Sequence, residues 1–179
     1  MSETILETGR LFIKTWTPEF ADELYNIMSD QRVHFYTGDT PWTKERVMEY
    51  IQYNINRGVL LLDCFHGAVV LKETGELIGL TGLNPYLPNQ PEIEWQFGVR
   101  FWNKGYAAEA GKAVIHAAFQ HTNIVRIYGM ANPENTGSVT VMKKIGMTCL
   151  GLREFRGEMD MFFEILPGVL KEKQDSVIF

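Results

Sequence analysis

The chain has 179 residues, 45% hydrophobic and 22% charged, with a formal net charge of −5, the profile of one globular domain that buries its own core. The acidic balance argues against nucleic acid as a main partner and mildly favours cationic substrates such as amines. Cys64 and Cys149 form no C-x-x-C pair, and no apolar run approaches the roughly 20 residues of a membrane span. With no N-terminal signal pattern either, the chain reads as a cytoplasmic protein with two reduced, strand-borne thiols and no membrane partner.

Thr8–Thr15 reads as the opening strand, with Leu11 and Ile13 on one face. Thr17-Pro18-Glu19 then starts a helix: threonine caps, proline takes the first helical position and an acid follows. Phe20, Leu24 and Ile27 give that helix an apolar stripe at i, i+4, i+7. A second helix begins at Thr43, carries Val47, Tyr50, Ile51 and Ile55 on one face, and ends at Gly58. The intervening loop, Gln31–Trp42, holds His34, Phe35, Tyr36 and Trp42; it either walls a substrate pocket or plugs the gap between the helices. Leu60–Lys72 and Leu77–Leu83 read as strands joined by the turn Glu73-Thr74-Gly75-Glu76. Asn84–Pro91, with three prolines, reads as a loop.

In the strand that follows, Ile93, Trp95, Phe97 and Val99 point one way and Glu92, Glu94, Gln96 and Gly98 the other. It runs into Asn103-Lys104-Gly105 and then a helix, Tyr106–Gln120. A strand, a glycine-containing loop and a helix start make an anion site, because the first helical N–H groups have no intrahelical partners and the macrodipole is positive there. The helix is polar along one stripe, Glu109, Lys112, His116 and Gln120, so it packs against a sheet, with Ala107, Ala110, Gly111 and Ala113 permitting close approach. A strand Val125–Ala131, the loop Asn132-Pro133-Glu134 and a helix Thr136–Ile145 follow, the last capped by Asn135 and stopped by Gly146. Met147–Glu154 and Glu158–Ile165 form a hairpin around Arg156-Gly157. The tail Pro167–Phe179 has no pattern and reads as an extension.

Spacing excludes several chemistries. Gly98 and Gly105 fit neither a P-loop nor a dinucleotide fingerprint. His116 and His121 are not on one helical face, and no Gly-x-Ser-x-Gly elbow exists, so neither a metal nor a serine-hydrolase triad is indicated. What remains is spread over two strand-loop-helix units, one offering Glu92, Glu94 and the Gly105 helix start, the other Asn135 and Ser138.

The strand–NKGYAAEA–helix segment, followed by N-x-x-S-x-x-x-x-x-K-x-G-M, resembles the GNAT superfamily of N-acetyltransferases. The pattern is nearest to the RimJ/RimL-like branch, which acetylates protein N-termini, and related small-amine acetyltransferases. The opening E-T-G-R-L-F-I-K fits that branch too, and the element order agrees from Glu7 to Ile165. The resemblance implies one α/β (α+β) domain over residues 1–166, with 167–179 as a C-terminal extension. Its strongly twisted, mostly antiparallel mixed sheet would have six or seven strands and helices on both faces.

The same resemblance implies acetyl-coenzyme A as co-substrate, without a metal. Backbone amides of Asn103, Lys104, Gly105, Tyr106 and Ala107 would hold its pyrophosphate. The pantetheine arm would run along Phe97, Gly98 and Val99, where Gly98 suits a bulge, with Asn135 touching the arm and Ser138 near the thiol. The family's loop usually begins with Gln or Arg three residues before the first glycine; here Trp102 stands there, with Arg100 as a substitute charge. Glu92 and Glu94 are the candidate bases, and Ser138 the candidate donor to the departing thiolate, with Tyr106 and Tyr128 behind it. The implied reaction is direct acetyl transfer to a primary amine, a protein N-terminus or a small amine, in a ternary complex. A different acyl group, a catalytically inactive acyl-coenzyme A-binding module and a homodimer are compatible with the same residues.

Overall fold

The computed structural model describes residues 2–58, 64–155 and 157–169. Eight strands form its frame: β1 (Thr4–Glu7), β2 (Leu11–Lys14), β3 (His66–Leu71), β4 (Leu77–Leu87), β5 (Gln90–Phe97), β6 (Ile127–Ala131), β7 (Thr148–Phe155) and β8 (Glu158–Ile165). They lie in the order β1-β2-β3-β4-β5-β6-β8-β7. Every neighbouring pair is antiparallel except β5 and β6, which are parallel.

Period-2 alternation gives the sheet two apolar faces, and helices cover both. α1 (Ala21–Met28, after a 3-10 turn at Pro18–Phe20) and α3 (Lys44–Arg57) bury Leu24, Met28, Val47 and Ile51 against Ala68, Val70, Leu77 and Leu80. On the other face, α4 (Tyr106–His121) and α5 (Thr136–Ile145) pack over Val69, Ile78, Ile93, Phe97 and Phe163. Each of the buried Leu, Ile, Val, Phe and Met side chains among these contributes about 1.5–3 kcal/mol by leaving water. Gly111 shows how closely α4 is seated: a Cβ there would lie 2.9 Å from Ile145 Cδ1 and 3.6 Å from the Trp95 ring. Lys112 and Gln120 of the polar stripe face solvent, as amphipathicity requires. The caps of α3 and α5 are those the sequence indicates. Thr43 Oγ1 accepts from Arg46 N at 3.2 Å, Asn135 Oδ1 accepts from Ser138 N at 3.0 Å, and Gly146 closes α5 with φ +100°.

Several expectations are corrected. Among the described residues the sheet has eight strands, not six or seven, because a further strand precedes the expected opening one: Ile5 and Leu6 build β1, and the Thr8–Thr15 stretch is a turn at Thr8–Arg10 followed by β2. The stretch Asn84–Pro91 is strand on both sides of a two-residue turn at Pro88-Asn89. A register shift between Asn84 and Leu87 makes this end of the ladder irregular, which is where strand prolines are tolerated. Gly98 forms no bulge. The β4–β5 register is regular from Gly79↔Phe97 to Asn84↔Glu92, and Gly98 ends the strand by starting a 3-10 turn, Val99–Phe101.

The expected strand Leu60–Lys72 is seen from His66 onward; residues 59–63 lie outside the described residues, as do Arg156 of the final hairpin and the tail from 170. Neither cysteine is in a disulfide, and only Cys149 is in a strand; Cys64 lies just ahead of β3. The 31–42 segment divides its roles. A short helix, α2 (Gln31–His34), and Trp42 plug the core with His34 at 2% exposure, whereas Tyr36 walls a cavity.

Candidate active site

β5 and β6 run side by side at a single Cα pair, Glu92↔Tyr128, and then part. A cavity of about 710 Å³ opens at the parting. Glu92 and Glu94 line it from β5, and Asn135 and Ser138 from the start of α5. The two strand-loop-helix units singled out in the sequence therefore converge on one space. Asn135 Oδ1 is used as the α5 cap, which fixes the helix start and with it the place of Ser138.

Glu94 is built in. Its Oε2 accepts from Asn84 Nδ2 at 2.5 Å, and its Oε1 lies 3.3 Å from His66 Nε2. His66 Nε2 also reaches Asn84 Oδ1 at 2.9 Å, and His66 Nδ1 meets Tyr50 Oη at 3.2 Å. Burial pushes the Tyr50 phenol well above its ordinary value, and the charge of Glu94 adds to that, outweighing a hydrogen bond from Asn54. Tyr50 therefore stays protonated, and in the neutral tautomer whose Nε2–H faces Asn84 Oδ1 and Glu94 Oε1 it donates to His66 Nδ1.

The described wall is acidic. Asp39, Glu92, Glu94, Glu158 and Asp160 all line the cavity, and among the described residues no Lys or Arg does. Burial and the neighbouring Glu158 raise the Asp160 carboxyl above its usual range. Asp39 goes the other way. Burial works to raise it, but hydrogen bonds from Arg46, Trp42 and the Thr40 amide outweigh this and hold it at about 2. Trp42, Tyr50 and Phe155 add aromatic surface to the same space.

The expected cofactor residues lie further along the same unit. Gly105 starts α4 at φ +82° with no side-chain cap, and Asn103 is also left-handed at φ +60°. A chain curled this way can turn consecutive N–H groups toward one anion, and no capping side chain competes for them. Lys104, Tyr106 and Ala107 complete this loop-to-helix turn. Phe97, Gly98 and Val99 do not line the large cavity; Gly98 and Val99 line a separate hollow of about 360 Å³ with Arg100.

Much of the backbone of Phe97–Val99 is already engaged. Phe97 O accepts from Trp102 Nε1 at 2.7 Å, Gly98 N donates to Ile78 O at 3.0 Å, and Gly98 O accepts from Phe101 N at 2.8 Å. Trp102 thus braces the end of β5. Arg100 does not reach the 103–107 loop: its guanidinium pairs with Glu76 and stacks on Phe101. The cation beside the loop is Arg10, whose Nη1 donates to Lys104 O at 3.0 Å. Tyr106 packs under that guanidinium, and Tyr128 is a buried residue beside Arg126, so neither faces the cavity.

Reading the sequence alone missed Tyr50, His66, Asn84, Asp39 and Arg10. His66 carried no metal-ligand spacing, and Asn84 fell in a stretch read as loop. Only the β3–β4–β5 register, which pairs His66 with Gly82 and Asn84 with Glu92, brings them to Glu94.

A family model described as an acetyltransferase (GNAT) domain matches residues 10–148. The chain belongs to the GNAT acetyltransferases. It is 34% identical over 145 residues to YnaD, an uncharacterized N-acetyltransferase of Bacillus subtilis (strain 168), a match covering 79% of this chain and 81% of that one. The fold superimposes on a GNAT-family acetyltransferase from Bacillus anthracis with a TM-score of 0.79 and 27% identity, covering 93% of this chain and 98% of the other. A spermidine N-acetyltransferase from Vibrio cholerae, in complex with CoA and spermine, shares the GNAT fold with a TM-score of 0.74. That match has 18% identity and covers 90% of this chain and 98% of that one, a likeness of fold alone. Among the described residues of this GNAT chain, no helix is long and apolar enough to cross a membrane.

Proposed function

We propose that this acetyltransferase moves an acetyl group from acetyl-coenzyme A to a primary amine, by direct attack in a ternary complex. The observation that carries the reading is the convergence of Glu92, Glu94, Asn135 and Ser138 on one cavity at the β5–β6 parting. In this reading the pantetheine arm takes the β5 edge that β6 leaves, running toward Phe97–Val99. The pyrophosphate sits on the amides of residues 103–107, and Asn135 touches the arm. Acetyl-coenzyme A supplies the activated thioester; the chain's own side chains handle the protons.

An amine must be neutral to attack. At pH 7 a lysine-like amine costs about 4–5 kcal/mol to deprotonate, whereas a protein N-terminus costs only about 1. The ammonium gives its first proton to Glu94, directly or through a water, with Glu92 on the same wall. After attack the nitrogen's second proton goes to the departing sulfur, and Ser138 donates a hydrogen bond to the developing thiolate. The products are an amide, free coenzyme A and one proton released to solvent, so the charges balance. No covalent intermediate with the protein is needed.

The acidic, aromatic wall favours a cationic acceptor, either a small amine or a basic N-terminal peptide. We further propose a place in the RimJ/RimL-like branch, on the E-T-G-R-L-F-I-K and NKGYAAEA segments, and an acetyltransferase domain over residues 1–166 with 167–179 as an extension. Two cysteines outside any disulfide fit a reducing, cytoplasmic setting.

The test pairs calorimetric titration of coenzyme A with thiol release across a panel of amines and N-terminal peptides. Glu94→Gln is expected to lower kcat by about 10²–10⁴-fold while coenzyme A binds as in wild type. Wild-type binding of coenzyme A without thiol release on any amine would instead support an acyl-coenzyme A-binding module.

A further inference from the structure

We propose that Arg10 and Glu109 form a charge clamp that sets how tightly the 103–107 loop holds the phosphate-bearing end of coenzyme A. This deepens the donor-site reading above and rests on it. Arg10 sits in the turn between β1 and β2, yet its side chain lies across the start of α4. Nη1 donates to Lys104 O at 3.0 Å, Nε donates to Glu109 Oε2 at 2.7 Å, and Nη2 pairs with the same oxygen at 2.6 Å. Glu109 Oε1 is taken from the same turn, accepting from Arg10 N at 2.9 Å and from Thr8 Oγ1 at 2.6 Å. The guanidinium lies 4.5 Å over the Tyr106 ring, and its Nη2 is 3.5 Å from where a Cβ on Gly105 would stand. The clamp therefore grips the chain on both sides of Gly105.

Its electrical effect follows from position. A carboxylate in the first turn suits the helix dipole but repels any anion sharing that helix start. Glu109 cannot remove its charge by taking up a proton at neutral pH. Burial pushes its carboxyl up, but the bonds from Thr8 and Arg10 outweigh this and hold it below its usual range. Cancellation falls to Arg10. With the pair neutral, the free amides and the dipole act on the pyrophosphate unopposed. Arg10 is a positioning residue: it acts through Glu109 and the Lys104 carbonyl. The side chain is 48% exposed, so the effect is screened by salt.

The experiment is calorimetric titration of the full chain with coenzyme A at low and high ionic strength, with S-acetylpantetheine, which lacks the phosphates, as control ligand. Arg10→Met leaves Glu109 uncompensated and is expected to weaken coenzyme A about tenfold at low salt, and less at high salt. The double variant Arg10→Met/Glu109→Gln restores the net charge and is expected within about threefold of wild type. Glu109→Gln alone keeps an amide oxygen for Thr8 and the Arg10 N–H while its NH2 faces the guanidinium; it is expected to lose some stability but, once its fold is checked by circular dichroism, to bind coenzyme A about threefold tighter or more. This last variant keeps the test readable if Arg10→Met does not fold.

A double variant as weak as Arg10→Met overturns the clamp, as does a loss shared equally by S-acetylpantetheine. Wild-type binding with Glu109→Gln no tighter overturns it too. A wild type that binds no coenzyme A refutes the donor-site reading itself, and the clamp falls with it.

Discussion

Asp39 holds one wall of the cavity, and its contribution can be isolated by pH. The carboxylate accepts from Arg46 Nη1 and Nη2 at 2.8 Å each, from Trp42 Nε1 at 3.0 Å and from Thr40 N at 2.8 Å. Arg46 in turn lies 4.7 Å over the Trp42 ring, so one carboxylate organises the 39–46 segment. Held at about 2 in the folded chain against an ordinary 3.8, it stabilises the fold by roughly 2 kcal/mol at neutral pH. With the side chain 31% exposed, solvent screening reduces this to about 1–2 kcal/mol.

The sign follows from the depression. The contribution is complete above the unfolded value near 3.8 and is lost as pH falls toward 2. Asp39→Asn removes the charge and turns one acceptor into a donor facing donors. Urea unfolding of both proteins should show a difference of about 1–2 kcal/mol at pH 7, or about 3–6 °C in Tm, that closes between pH 4 and pH 2. All other carboxyls titrate in both proteins and cancel in the difference. Coenzyme A affinity should be unchanged. A difference below about 0.5 kcal/mol at pH 7, or one that persists undiminished at pH 2, refutes the reasoning.

Two further outcomes test the chemistry. Ser138→Ala should lower kcat about tenfold to a hundredfold while leaving coenzyme A affinity and stability unchanged, because it is the Ser138 N–H and not its hydroxyl that takes the cap; thiol release and calorimetry read both. His66→Phe removes the donor to Glu94 and Asn84 and the acceptor for Tyr50, so kcat should fall by at least tenfold with a stability loss of about 1–3 kcal/mol from the stranded Tyr50 hydroxyl. His66→Gln, which can still donate from about the same position, should recover most of the rate; a Gln variant as slow as Phe would mean the ring itself is required.

The local grammar of this chain was legible from its residues. α5 runs between the Asn135 cap and Gly146, and α4 opens at Gly105, because helix ends are set by a residue's own backbone freedom and by bonds reaching three or four positions along the chain. The β5 alternation likewise put Glu92 and Glu94 on the face opposite Ile93 and Phe97, since side-chain direction in a strand depends only on parity. The family pattern, carried by the NKGYAAEA and Asn135–Met147 segments, was readable for the same reason.

What the residues alone could not decide depends on pairing across long separations. The edge strand β1 ahead of Thr8 and the β4–β5 pairing through Pro85 and Pro91 follow from neighbours in the sheet, which at Asn84–Pro91 override the local turn signal of the prolines. His66 and Asn84 meet Glu94 only because β3, β4 and β5 pair in one register; a one-residue slip would turn them to the opposite face. Arg10 reaches Lys104 and Glu109 only because the turn between β1 and β2 lies beside the start of α4, bringing together residues 94 and 99 positions apart. Composition can supply a cation and a carboxylate, but only the assembled sheet decides that these two meet at the anion loop.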